Sequence, residues 1–171
     1  TSPRRIPVLR RKVARVLERA DLAPNSHDEK ALIHILETLP RDELFQIDED
    51  SLYATATGIL HLQERQRIAL FVRQDPFQRY VSCLVFVPRD VHTTELRHRF
   101  VRILEDAFGG VVSTFSTQLG DEPLARVHFI IRTTPGDLPD YDVKEIEQRL
   151  AEAGRSWRDR LQQALVARFG E

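Results

Sequence analysis

The chain has 171 residues, of which 42% are apolar and 30% charged, and its 25 Lys and Arg nearly balance 26 Asp and Glu for a net charge of −1. That composition suits a globular domain with its own core and argues against wholesale disorder and against a general nucleic-acid binder, which is normally strongly basic. One Cys excludes an internal disulfide framework and a four-Cys zinc site. No apolar run approaches transmembrane length and no signal peptide opens the sequence, so a cytoplasmic protein is expected. The absence of Met, and a helical pattern running up to Phe169-Gly170-Glu171, point to a piece of a longer protein.

The first 66 residues read as a helical arm. Pro7 suits a first helical turn, and Val8, Leu9, Val13, Val16, Leu17 and Ala20 recur at helical spacing. Ser26 with Glu29 fits a capping box, in which each side chain satisfies the other residue's free backbone N–H. Leu32, Ile33, Ile35, Leu36 and Leu39 follow, and Pro40 stops the run. Arg41 to Phe45 predicts one short helical turn. Asp48 or Asp50 caps a third long helix carrying Leu52, Tyr53, Ala56, Ile59, Leu60 and Leu62. Charge is split along this arm. Residues 1–19 hold seven basic residues, Arg4 and Arg5 among them, against Glu18; residues 21–64 hold ten acids against Lys30 and Arg41. The two segments are suited to pairing with each other or with neighbouring parts of a larger chain, or to forming a plain solvated face.

From residue 67 to 171 the period changes and an α+β domain is expected. Ile68 to Val72 is a strand, Asp75-Pro76-Phe77-Gln78 a turn, and Tyr80 to Val87 a second strand ended by Pro88, together a hairpin. Thr93 or Thr94 caps a helix with the stripe Leu96, Phe100, Ile103, Leu104, Ala107 and Phe108, stopped by Gly109-Gly110. Val111 to Leu119 is a third strand, and Gly120-Asp121-Glu122-Pro123 a turn. In the fourth strand, Ala125, Val127, Phe129 and Ile131 alternate with a wetter Arg126, His128, Ile130 and Arg132. After a loop with Pro135, Gly136 and Pro139, the stripe Val143, Ile146, Leu150, Ala153, Trp157, Leu161 and Leu165 predicts one long helix running across Gly154. The order β-β-α-β-β-α makes a two-layer sandwich: a four-stranded antiparallel sheet with helices on one face.

Few residues point to chemistry. None of the Gly-rich phosphate loops, the HExxH pair or the GxSxG elbow is present. The six His are scattered without metal-ligand spacing, and no metal site is expected. Cys83 sits mid-strand as a small hydrophobe. Trp157 and the aromatics Phe45, Phe71, Phe77, Phe86, Phe100, Phe108, Phe115 and Phe129 read mostly as core. The segment Pro88 to Thr94 joins a strand end to a helix start, where free N–H groups and the helix dipole favour a carboxylate. Arg89, Asp90, Thr93 and Thr94 are the candidate effector contacts, with an ordinary capped loop as the plain alternative.

Several stretches resemble one family. They are Leu9-Arg10-Arg11-Lys12-Val13-Ala14-Arg15-Val16-Leu17, Pro40-Arg41-Asp42-Glu43-Leu44-Phe45-Gln46-Ile47, Asp75-Pro76-Phe77, and Val81-Ser82-Cys83-Leu84-Val85-Phe86-Val87-Pro88-Arg89. Thr94-Glu95-Leu96-Arg97, Ala107-Phe108-Gly109-Gly110, Pro123 to Phe129 and Arg155 to Leu161 continue the series. Together they are similar to the N-terminal half of the large bacterial NAD-specific glutamate dehydrogenases, over nearly the whole chain. The resemblance implies an ACT-like domain after a helical linker, ahead of the catalytic domain and shifted by one strand from the common β-α-β-β-α-β order. It implies no catalytic residue and no cofactor here, with NAD used by the parent enzyme in converting L-glutamate to 2-oxoglutarate and ammonia. It further implies a regulatory or assembly role in amino-acid catabolism, with partners in the rest of the same chain, a homo-oligomer and an amino-acid effector, and without nucleic acid or membrane. The rival reading is a purely structural oligomerisation scaffold.

Overall fold

A computed structural model describes residues 6–119 and 122–169. Arg4, Arg5, the Gly120-Asp121 part of the expected turn and the terminal Gly170-Glu171 lie outside the described residues. The chain divides into two compact units, Thr1–Arg65 and Gln66–Glu171.

The first unit contains four helices: α1 (Pro7–Ala20), α2 (His27–Thr38), α3 (Arg41–Gln46) and α4 (Glu49–Leu62). It has a core of its own. Leu9, Val13 and Val16 of α1 and Leu32, Ile35 and Leu36 of α2 are buried, as are Leu44, Leu52, Ala56, Ile59 and Leu62. Ser26 caps α2 by accepting from Glu29 N–H (3.2 Å). The Glu29 carboxylate reaches one residue further back than the expected box, to the N–H of Asn25. Asp48 is the cap of α4, accepting from Ser51 N–H at 2.7 Å. The opposed charges of the arm meet inside this unit: Arg19 of α1 pairs with Asp50 at 2.7 Å and Glu49 at 3.6 Å, and its guanidinium lies over the Tyr53 ring.

The second unit runs β1 (Ala69–Gln74), β2 (Tyr80–Pro88), a 3-10 turn (Arg89–Val91), α5 (Thr94–Phe108), β3 (Val111–Gln118), β4 (Leu124–Arg132) and α6 (Val143–Phe169). The sheet order is β1-β2-β4-β3, with every neighbouring pair antiparallel. Moving β1 to the end of the chain would restore β-α-β-β-α-β connectivity, so the one-strand shift leaves a single continuous sheet. Val81, Cys83, Val85 and Val87 of β2 share a face with Ala125, Val127, Phe129 and Ile131 of β4. Leu96, Phe100, Leu104 and Phe108 of α5 and Ile146 and Leu150 of α6 cover that face. These are the period-2 and period-3.6 stripes of the sequence, each buried against the other.

The α6 helix is continuous across Gly154, which is buried against Ile68. Gly109 ends α5 at φ 62° in the left-handed region, with its N–H donating to the Glu105 carbonyl. The hairpin turn is locked by Asp75, whose buried carboxylate accepts from Arg79 Nε at 2.8 Å and Arg79 N–H at 3.0 Å.

Not all expected core aromatics are core. Phe45, Phe77 and Phe115 are 49%, 71% and 48% exposed. Phe77 sits in the hairpin turn and Phe115 on the outer strand of the sheet, where a correct facing direction brings little cover. Arg79 and Arg97 lie over their rings instead, at 5.3 and 4.3 Å from the centroids. The stripe of α6 also outruns the sheet, leaving Leu165 exposed.

Candidate functional site

The junction between β2 and α5 stands at one end of the sheet. Pro88 closes β2, and its ring stops the strand ladder. The next residues form a 3-10 turn held by His92 N–H donating to the Arg89 carbonyl at 3.3 Å. Arg89 N–H donates to the Pro123 carbonyl at 3.0 Å, tying the turn to the start of β4. Val91 is buried and anchors the turn in the core. The chain then rises into α5, where Thr93 takes an extended conformation and its hydroxyl accepts from Leu96 N–H at 3.2 Å.

The fold therefore brings Arg89, Asp90, Thr93 and Thr94 to one short loop, with different commitments. The Thr93 hydroxyl is engaged as the cap of α5. The Asp90 carboxylate lies 3.6 Å from Arg158 of α6, an exposed pair. Arg89 and Thr94 are exposed. The α5 helix begins in this loop, and the positive end of a helix favours negative charge.

Sequence reasoning passed over two neighbours of this loop. The Nε2 of His92 is buried without a hydrogen-bond partner, and so is the indole Nε1 of Trp157. Burial, reinforced by the positive Arg97, pushes the His92 pKa below its ordinary value. Its ring is consequently held neutral near pH 7, with one nitrogen able to donate and the other to accept. Trp157 adjoins Arg158 on α6, and its ring lies beneath the guanidinium of Arg99 from α5, 5.7 Å from the centroid. Position directly before the Thr93 cap was the available signal for His92. For Trp157 there was none, because its helical stripe reads as core. Among the described residues no group of three or more His, Cys, Asp or Glu is placed to hold a metal ion. Among the described residues no helix is long and apolar enough to cross a membrane.

Residues 69–158, the sheet with most of its two helices, match the family model described as glutamate dehydrogenase, ACT2 domain. The chain belongs to the glutamate dehydrogenase family. Residues 6–65 match a second model, glutamate dehydrogenase, helical motif 1. The chain is 46% identical over 170 residues to a protein of Halomonas elongata named NAD-specific glutamate dehydrogenase, covering 99% of this chain and 10% of the relative. A protein of the same name from Pseudomonas aeruginosa is 40% identical over 97% of this chain and 10% of its own length. One from Mycobacterium tuberculosis is 34% identical over 95% of this chain and 11% of its own. The chain thus spans about a tenth of these glutamate dehydrogenases, and its α+β unit is of the ACT type.

Proposed function

We propose that this chain is a non-catalytic regulatory and assembly segment of an NAD-dependent glutamate dehydrogenase acting in the cytoplasm. The parent reaction would be oxidative deamination of L-glutamate to 2-oxoglutarate and ammonia, with hydride passed to NAD by residues elsewhere in the protein. The observation that carries the reading is the ACT2 match over the sheet and helices, residues 69–158. The β2–α5 loop is the natural effector contact within it. Arg89 would hold the carboxylate of a free amino acid, Thr94 and the first-turn N–H groups of α5 would complete its shell, and Thr93 and Asp90 would hold the loop in shape.

The test is glutamate-dependent reduction of NAD by the whole enzyme in the presence of single amino acids. The reading expects one of them to change the rate, and Arg89→Ala to abolish that response. Response in the wild type and in Arg89→Ala alike would remove the loop from the account.

The second reading is an assembly scaffold with no effector. It is favoured by β3, an outer strand exposed along nearly its whole length. It expects self-association and indifference to every amino acid.

A further inference from the structure

The last helix outruns the sheet it covers. Ile146 and Leu150 of α6 lie in the core and Trp157 packs against it, but the helix runs on to Phe169, past the end of the ACT2 match at residue 158. At 1.5 Å per residue, the extension from Trp157 to Phe169 is about 18 Å long. The helical period keeps Leu161, Ala164 and Leu165 on the side of Leu150 and Trp157, with Phe169 at the margin. The core stripe therefore continues into solvent: Leu161 is half-buried, and Leu165 and Phe169 are exposed.

The charges of this extension are sorted by side. Residues 155–169 hold Arg155, Arg158, Arg160 and Arg168 against a single acid, Asp159. Arg158 and Arg160 stand on the two flanks of the apolar stripe, where side-by-side helices exchange ion pairs, and Arg168 lies in line with it. Asp159 takes the opposite side of the helix, with Gln162, Gln163 and Val166. Arg158 meets Asp90 at 3.6 Å in an exposed pair. Among the described residues Arg160 and Arg168 form no ion pair. The stripe is thus framed by cations, two of them without a counter-charge.

We propose that the Leu161–Leu165 face of α6 is the seat of an acidic amphipathic helix from another stretch of the same polypeptide. This goes beyond the regulatory reading and rests only on the part of it that makes the chain a segment of a longer protein. An apolar stripe on the partner would cover Leu161, Leu165 and Phe169, and Asp or Glu beside that stripe would meet Arg158, Arg160 and Arg168. A second copy of α6 does not fit, because its flanks would set Arg against Arg. A lipid surface fits poorly as well: helices that lie on membranes spread their cations over the polar face, which here carries Gln162, Gln163 and Asp159. The same polypeptide is the favoured source because the chain covers only 10% of its relatives from Halomonas elongata and Pseudomonas aeruginosa. A helix joined to α6 by the chain is held at high effective concentration.

The test is made on the whole enzyme, with the photoreactive residue p-benzoylphenylalanine placed at Leu165 or, as a control on the polar side, at Gln163. Illumination is expected to join position 165 to a helical stretch bearing Asp or Glu, in a product that migrates as one polypeptide, and to give no such product from position 163. Arg160→Glu with Arg168→Glu is expected to lower the yield from position 165 about tenfold, and Lys at both positions to keep it. Arg160→Glu alone serves if the double variant loses the wild-type circular dichroism. A link from position 165 to α6 of a second subunit, a link to lipid, or no link at all overturns the proposal. A yield indifferent to both Glu substitutions overturns the acidic character of the partner. Absence of glutamate-dependent NAD reduction by the same wild-type preparation overturns the functional reading instead, and leaves the cross-linking result standing.

Discussion

The Nζ of Lys12 lies 2.7 Å from the carbonyl oxygen of Leu44, and it also donates to the carbonyls of Ile47 at 2.8 Å and Phe45 at 3.3 Å. One ammonium from α1 thereby serves the C-terminal end of α3, where the helix leaves carbonyls without internal partners and the dipole favours a cation. Burial pushes the Lys12 pKa down, and Asp48 partly offsets this. A helix of six residues cannot stand alone; α3 is fastened to its unit by the buried Leu44 and by Lys12. Lys12→Met keeps the length and apolar stem but strips three carbonyls of their donor. It is expected to cost about 1–3 kcal/mol of stability, checked by urea unfolding. A variant within about 0.5 kcal/mol of the wild type would show that water replaces the ammonium without loss.

The hairpin turn carries a pH signature. The Arg79 side-chain hydrogen bonds to Asp75 hold its carboxyl below the usual carboxylate range, aided by the Arg79 backbone N–H and opposed by burial. The folded value lies below the unfolded one, so the stabilisation is full above the ordinary value near 4 and is lost as pH falls through the folded value. Asp75→Asn is expected to be less stable than wild type at pH 6. The gap should narrow on acidification below pH 4. Thermal unfolding of both chains across that range is the check; a gap independent of pH contradicts the account.

His92 gives a second signature at milder acidity. With its folded pKa lowered, the unfolded chain binds the proton more readily, so the contribution of the neutral ring is complete above about pH 6.5 and lost as pH falls through the folded value. His92→Asn is expected to flatten this part of the stability profile. A proton NMR titration of the His92 ring should give a midpoint below that of a free imidazole. A midpoint at or above the free value would mean that the ring is solvated or paired.

Gly110 separates the end of α5 from β3 in a crowded place. A Cβ there would run into the backbone carbonyl oxygen of Arg132, and would stand 2.9 Å from Cγ2 of Ile131. Arg132 and Ile131 are paired to β2 as well as to β3, so this backbone cannot retreat. Gly110→Ala is expected to destabilise the α+β unit by about 1–3 kcal/mol, the usual range for overpacking, measured by chemical denaturation. An Ala variant as stable as wild type would mean that β4 shifts freely.

Much of this architecture was legible in the residues. Ser26, Asp48 or Asp50, and Thr93 or Thr94 announce helix starts because such side chains accept the first free N–H groups, and Ser26, Asp48 and Thr93 are the ones that do so. Ala125, Val127, Phe129 and Ile131 alternate and all four are buried. Position within the sheet was not legible. Phe115 has the right facing direction for a core residue and stands opposite Phe129, yet it is half exposed because β3 is an outer strand, a fact set by strand order rather than by period. The candidate loop could be found because a strand end next to a helix start is written locally. The Arg158–Asp90 pair could not, since it joins residues far apart in sequence whose only sign is charge.

The most direct measurement of the central claim is thermal unfolding of the chain against a panel of amino acids, 2-oxoglutarate, NAD and nucleotides. A ligand at about a hundred times its dissociation constant adds about 2.7 kcal/mol, which is readily seen. The account predicts a rise in Tm with one amino acid, absent in Arg89→Ala, and no response to NAD. A panel without any amino-acid response would contradict the regulatory reading and leave the scaffold in its place.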